Sequence, residues 1–244
     1  MSPRGDLAMP GQSGAVGTVD RHDQEQQVET RKKRANGEES RQRIIMAAIE
    51  IAGERGYEGT SISAVSERSG LPASSIYWHF KDKDDLLAAV IDHSFARWLE
   101  HLGADPPTPE GTDDSRTASV RSAAGVQRAI AAAPDFLRLG LMLTLERRQE
   151  EPLARSKFLA VRHAALENAI SFYGRLHRDR LTPRDIRMVA VMAMAIADGL
   201  FIAHEVEGDD FPAQRMFELA GVAVDAVAQE LIADRDRRRA KRAR

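Results

Sequence analysis

Large apolar side chains are almost absent from the first 37 residues, then recur at helical spacing as far as residue 233. Segment 1–37 is rich in Gly, Ser, Gln and charge, cannot offset its ordering entropy, and is expected to be a disordered arm. Beyond Glu38 and Glu39, Ile44, Ala48, Ile51 and Ala52 share one face, which predicts a first helix closed at Gly56 by a left-handed cap. Thr60 or Ser61 can cap a second, short helix whose inward side is Ile62, Val65 and Ala64, and Gly70 closes it. Pro72 suits the first turn of a third helix, where its missing N–H has no helical partner. Asp82 can cap a fourth helix carrying Leu86, Leu87, Val90, Ile91, Phe95, Trp98 and Leu99.

Three prolines and several acidic residues mark 103–114 as a loop. Helices are then expected over 115–132, 134–148, 152–178, 183–207 and 213–233, with no strand pattern and no internal repeat. The expected fold is all-α. Its parts are an arm (1–37), a three-helix helix-turn-helix domain (38–101, motif about 61–80), a helical domain (102–233) and a basic tail (234–244).

Composition narrows the function classes. At 244 residues, with 43% hydrophobic and 30% charged residues, the chain reads as soluble and globular. Without cysteine it has no disulfides and no thiolate metal sites, which suits a reducing cytosol. The N-terminus lacks a signal peptide's apolar run, and the apolar stretch 189–203, interrupted by Asp198, is shorter than the ~20 residues a bilayer requires. The net charge of −2 carries no global signal for nucleic acid, but basic residues gather at 31–34 and 237–244. The expected location is the cytoplasm, at the nucleoid.

The third helix carries the chemistry. Ile76 and Phe80 lie four apart and point inward, so Ser74, Ser75 and Trp78 point outward. Hydroxyls at a helix N-terminus, beside free backbone N–H groups, suit phosphate and base-edge contact. Tyr77 and His79 flank that face and can donate to phosphate oxygens, and Lys83 adds a cation at the next helix start. The alternative, an aromatic core patch under a loop, is preferred for Phe80 alone.

Over about 39–101 the chain resembles the DNA-binding domain of TetR-type transcriptional regulators. The matching residues are Arg41, Ile44, Ala47, Ala48, Gly56, Tyr57, Thr60, Ser61, Ile62, Val65, Ser69, Gly70, Leu71, Ile76, Tyr77, Trp78, His79, Phe80, Lys83, Leu86 and Leu87. The resemblance implies phosphate contacts from Ser61, Tyr77, His79 and Lys83, and places Ser63, Ala73, Ser74 and Ser75 near base edges. Ala73 and Ser63 depart from the commoner polar or basic residues, which weakens direct base readout and leaves room for the 31–34 arm to reach the backbone or minor groove.

The resemblance fades after Trp98 and implies a C-terminal domain that binds an effector and dimerises. Apolar residues nearly surround the 183–207 helix, which is expected to be buried on several sides and, with the last helix, to pair with a second copy. Candidate lining residues of an effector cavity are Trp98, Phe136, Met142, Phe158, Phe172, Tyr173, Met192 and Asp198. Asp198 needs a partner, for which a neighbouring Arg or His, an effector or the second copy are alternatives. His163 and His204 are expected at the edge of the core. No catalytic, metal or cofactor motif is present: His204-Glu205 does not begin a zinc motif, and 81–85 lacks a calcium loop's ligand spacing.

The expected function is a homodimeric repressor on double-stranded operator DNA, released by a small-molecule effector. The alternatives are an activator or architectural protein without small-molecule control, and an enzyme on a helical scaffold, for which no acid, base and nucleophile cluster is visible.

Overall fold

The computed structural model describes residues 19–102, 114–146 and 151–242. Among them all regular structure is helical. The chain divides into two compact units, 1–43 and 44–244.

In the first unit the arm is helical from Val19, eighteen residues before Gly37, in helix α1 (Val19–Gly59). Residues 1–18 lie outside the described set. The correction has a local cause. Residues 19–36 hold neither Gly nor Pro and are rich in Glu, Gln, Lys and Arg, which favour helix without any core. Arg31, Lys32 and Arg34 are exposed along it, and the Ser40 hydroxyl donates to the Asn36 carbonyl at 2.9 Å.

The second unit contains the rest of α1 and eight more α-helices among the described residues. Gly56 kinks α1 with φ 69° and ψ −172°. This is not the left-handed cap expected, but a region that essentially only glycine occupies. The Thr60 hydroxyl, 1% exposed, donates back to the Gly56 carbonyl at 2.7 Å and fixes the break. Helix α2 (Ile62–Ser69) is capped by Ser61, whose hydroxyl accepts the Ala64 N–H at 3.2 Å, and ends at Gly70 in the left-handed region. Pro72 takes the cap position before α3 (Ala73–His79), and Asp82 caps α4 (Lys83–Leu102) by accepting the Asp85 N–H at 2.9 Å.

The remaining helices are α5 (Ser115–Ala132), α6 (Pro134–Leu145), α7 (Leu153–Leu176), α8 (Pro183–Glu207) and α9 (Ala213–Arg242), with a 3-10 turn at Gly208–Asp210. As far as Arg242, the basic tail is the last part of α9. Arg238 reaches Asp234 at 2.7 Å, one turn back, and cations at a helix C-terminus complement its dipole.

The expected boundary at 101/102 does not separate two cores. One core runs from Ile44, Ile51, Val65, Ile76 and Leu87 into Phe136, Phe158, Phe201 and Phe217. Helix α4 bridges them, with Leu86, Leu87, Val90 and Ile91 at its start and Phe95 and Trp98 further along. A second core joins Ala118, Phe172, Tyr173, Val189, Val224 and Ala228.

Two expectations for α8 are corrected. The stretch Pro183–Asp210 is long and apolar enough to cross a membrane by length and composition. Only Val189, Ala190 and Phe201 of α8 are buried, whereas Met188, Val191, Met192, Ile202 and Val206 are exposed. His163 and His204 are exposed as well, rather than at a core edge.

Candidate nucleic-acid interface and internal cavity

Helix α3 is two turns long and relies on its neighbours. Ile76, 0% exposed, and Phe80, 3% exposed, anchor it from below. The Ser66 hydroxyl donates to the Leu71 carbonyl at 2.7 Å and pins the turn between α2 and α3. Arg68 on α2 reaches Glu50 at 2.9 Å and Glu54 at 3.2 Å on α1, and its hydrogen bond holds the Glu54 carboxyl below the usual range.

The face opposite Ile76 is open. Trp78 is 76% exposed and Tyr77 57%; Ala73 and Ser74 are exposed, and Ser75 and His79 half-buried. The His79 ring meets Trp78 edge-on, centroids 4.5 Å apart. Ser61 and Ser63, at the start of α2, are exposed with their hydroxyls 3.0 Å apart. Lys83 is held in place: its ammonium donates to the Tyr57 carbonyl at 3.3 Å, stands 4.3 Å from the Tyr57 ring centroid and lies 3.6 Å from Glu58. Trp78 and Tyr77 thus form an exposed aromatic pair on this face.

Inside 44–244, a cavity of about 350 Å³ lies among α4 to α9. Of the eight lining residues expected, Trp98, Phe136, Phe172, Tyr173 and Asp198 line it. Met142, Phe158 and Met192 do not. Phe158, 1% exposed, sits one turn before the lining part of α7 and packs on Phe136, with centroids 5.3 Å apart. It also lies over Gly140, where any Cβ would overlap its ring. Met142 reaches back toward Gly56, and Met192 is 43% exposed on the outer side of α8.

Asp198 finds its partner within the chain. Arg162 Nη1 and Nη2 donate to its two carboxylate oxygens at 2.7 and 2.6 Å, a two-pronged pair that satisfies both groups at the cavity wall. Arg121 and Arg128 on α5 also line the cavity.

Sequence reasoning missed a polar cluster behind Tyr173. The His177 ring stacks on Tyr173 at 6.5 Å, and Asp225, 8% exposed, accepts the Ser115 hydroxyl at 2.6 Å. Burial raises the Tyr173 phenol and lowers the His177 imidazole. The only signal for this cluster was a single charge among the apolar positions of α9.

Residues 44–90 match the family model of bacterial regulatory proteins, tetR family. Segment 44–90 therefore carries the sequence pattern of that family. It is 35% identical over 64 residues to the HTH-type transcriptional regulator AcrR of Shigella flexneri, covering 26% of this chain and 30% of that one. It is 31% identical over 99 residues to the tetracycline repressor protein class C of Escherichia coli, covering 41% and 43%. The match thus spans less than half the length of these curated relatives. Beyond the tetR segment the likeness is one of fold. A TetR-like transcriptional regulator from Rhodococcus sp. RHA1 superposes with a TM-score of 0.58 at 18% identity, over 80% of this chain and 96% of that one.

Proposed function

We propose that this TetR-type chain is a dimeric repressor that leaves its operator when a small molecule occupies the cavity. The observation that carries the reading is the double duty of α4. Its first residue, Lys83, stands beside the exposed face of α3, while Phe95, Trp98, Leu99 and Leu102 at its other end line the cavity. A ligand that prefers a displaced α4 lowers operator occupancy in proportion to its preference.

In this reading Ser61, Tyr77, His79 and Lys83 hold phosphates, while Ser63, Ala73, Ser74, Ser75 and Trp78 face base edges. The effector has a largely apolar body, matching Phe95, Trp98, Phe136 and Phe172. The protein acts in the cytoplasm, on chromosomal DNA.

The exposed side of α8 supports dimerisation. Met188, Met192, Ala195, Gly199, Ile202 and Val206 are exposed at alternating spacings of four and three, the seam of a helix that packs on another helix. Leu219, Ala223 and Ala226 continue it on α9, and a Cβ at Gly199 would meet nothing within 4 Å. A second copy covering this seam accounts for apolar surface that one chain leaves in water.

The test is footprinting on DNA flanking its own coding sequence, followed by gel-shift titration against random DNA. Wild type should protect a paired half-site, and Trp78→Ala and Ser75→Ala should shrink the preference over random DNA. Equal affinity of wild type for both DNAs would refute the reading.

A further inference from the structure

Helix α7 starts behind Pro152, which has no side chain able to cap it. The first N–H groups of a helix have no partner within the helix and need acceptors from elsewhere. Here they find one 69 residues earlier in the chain. The Leu153 N–H donates to Asp84 Oδ2 at 2.6 Å and the Ala154 N–H to Asp84 Oδ1 at 3.3 Å. The Tyr57 hydroxyl donates to the same Oδ1 at 3.4 Å. One carboxylate in the first turn of α4 therefore ties together the end of α1, the start of α4 and the start of α7.

The two ends of this tie reach different surfaces. On one side, Tyr57 holds Lys83 through its ring and its carbonyl, next to α3. On the other, α7 leads from Ala154 directly to Val161, Arg162 and Ala165 in the cavity wall. A second link between α4 and α7, Lys157 to Asp92 at 3.1 Å, is about half-exposed at both ends and is weakened by water and salt. The Asp84 link is different in kind. A carboxylate at a helix N-terminus meets both its N–H groups and its positive dipole end, and axial movement of α7 must stretch those bonds or carry Asp84 along.

We infer that Asp84 is the positioning residue that transmits occupancy of the cavity to α3. The inference rests on the effector-release reading and adds its route: α7 moves, its N-terminus shifts Asp84, and Asp84 shifts Tyr57 and Lys83 at the DNA surface.

The experiment uses the full chain and a substitution in place of a ligand. Ala165→Trp puts an indole into the cavity from α7, and binding is titrated on a DNA fragment selected from a random pool by the wild type. With Asp84 present, Ala165→Trp should weaken binding about tenfold, within the usual range of coupling between two sites. In an Asp84→Ala background the same substitution should change affinity less than about twofold, because the two changes then no longer add. Asp84→Asn keeps the shape and one acceptor, so it should fold if the alanine variant does not, and should give an intermediate factor. Amide exchange at Leu153 and Ala154 should accelerate in Ala165→Trp alone.

A merely structural Asp84 would weaken binding by one constant factor, whether or not the indole fills the cavity. That result would overturn the inference and leave the effector-release reading standing. If Ala165→Trp leaves DNA binding unchanged while Asp84 is intact, the effector-release reading falls and the coupling with it.

Discussion

Gly221 on α9 lies against the backbone of α5 with nothing between them. A Cβ there would sit 2.5 Å from Val120 Cα, 2.8 Å from Ser119 O and 2.8 Å from Val120 N. Relaxed carbon contacts are about 3.5–4.0 Å, so Gly221→Ala must push the two helices apart by roughly 1 Å. No rotamer change can absorb this, because the obstructing atoms are backbone. Overpacking of this kind costs about 1–3 kcal/mol, and the upper half of that range applies. Alanine returns about 1 kcal/mol of helix propensity, leaving a net loss of about 1–2 kcal/mol.

Gly174 on α7 is the internal control. A Cβ there meets only Ile186 Cδ1 and Cγ2, both at 4.0 Å, an ordinary contact. Gly174→Ala keeps the propensity gain of about 1 kcal/mol and meets no obstruction. The two variants should therefore differ by about 2–3 kcal/mol, with opposite signs relative to wild type. In equilibrium urea unfolding with a slope near 3 kcal/mol/M, their midpoints should lie roughly 0.7–1 M apart. Protein concentration must be matched, since the midpoint of a dimer would depend on it. If Gly221→Ala is as stable as Gly174→Ala, the backbone contact between α5 and α9 is refuted.

Three further outcomes are expected. Met192→Glu with Ile202→Glu, both on the exposed side of α8, should leave the helical circular dichroism intact but give a monomer in sedimentation; an unchanged mass would exclude that seam. Lys83→Ala should weaken binding to all DNA sequences and flatten the plot of log affinity against log salt by about 0.9 for each phosphate no longer neutralised, and an unchanged slope would remove Lys83 from the phosphate set. His177, 1% exposed, has an imidazole held below its ordinary value by burial, so the unfolded chain takes up a proton there before the folded chain does. Stability should then fall as pH drops below about 6.5 toward the lower folded value, and His177→Gln should lack that part of the slope in urea midpoints measured across pH; an identical slope would contradict it.

The placement of the α3 face was legible in the sequence because its rules are local. Gly70 in the left-handed region, Ser61 as a cap and the four-residue spacing of Ile76 and Phe80 each depend on a few neighbours. The cavity was legible only in part, since periodicity groups residues on a helix face without fixing how the helix is rotated. Met192 fell on the outer side of α8, one position from the lining Ala193, and Phe158 one turn before the lining of α7. Asp84 showed only as one of several charges near a helix start, because its partners lie 69 and 70 residues away. The helical arm from Val19 was missed because lack of a core argued for disorder, while composition alone favoured helix.

The close approach at Gly221 also bears on which molecules the cavity can take. Helices α5 and α9 meet backbone to backbone, so the wall they form, with Gly221, Ala220 and Gly125, has little freedom to reshape. Helices α4 and α8 contribute Leu99, Leu102 and Met194 to the lining, partly exposed side chains that can rotate. Such a site discriminates sharply against bulk added on one side of a guest and tolerates it on the other. A series of analogues extended at different positions should therefore split into strict and permissive directions of growth, making the selectivity of the cavity directional.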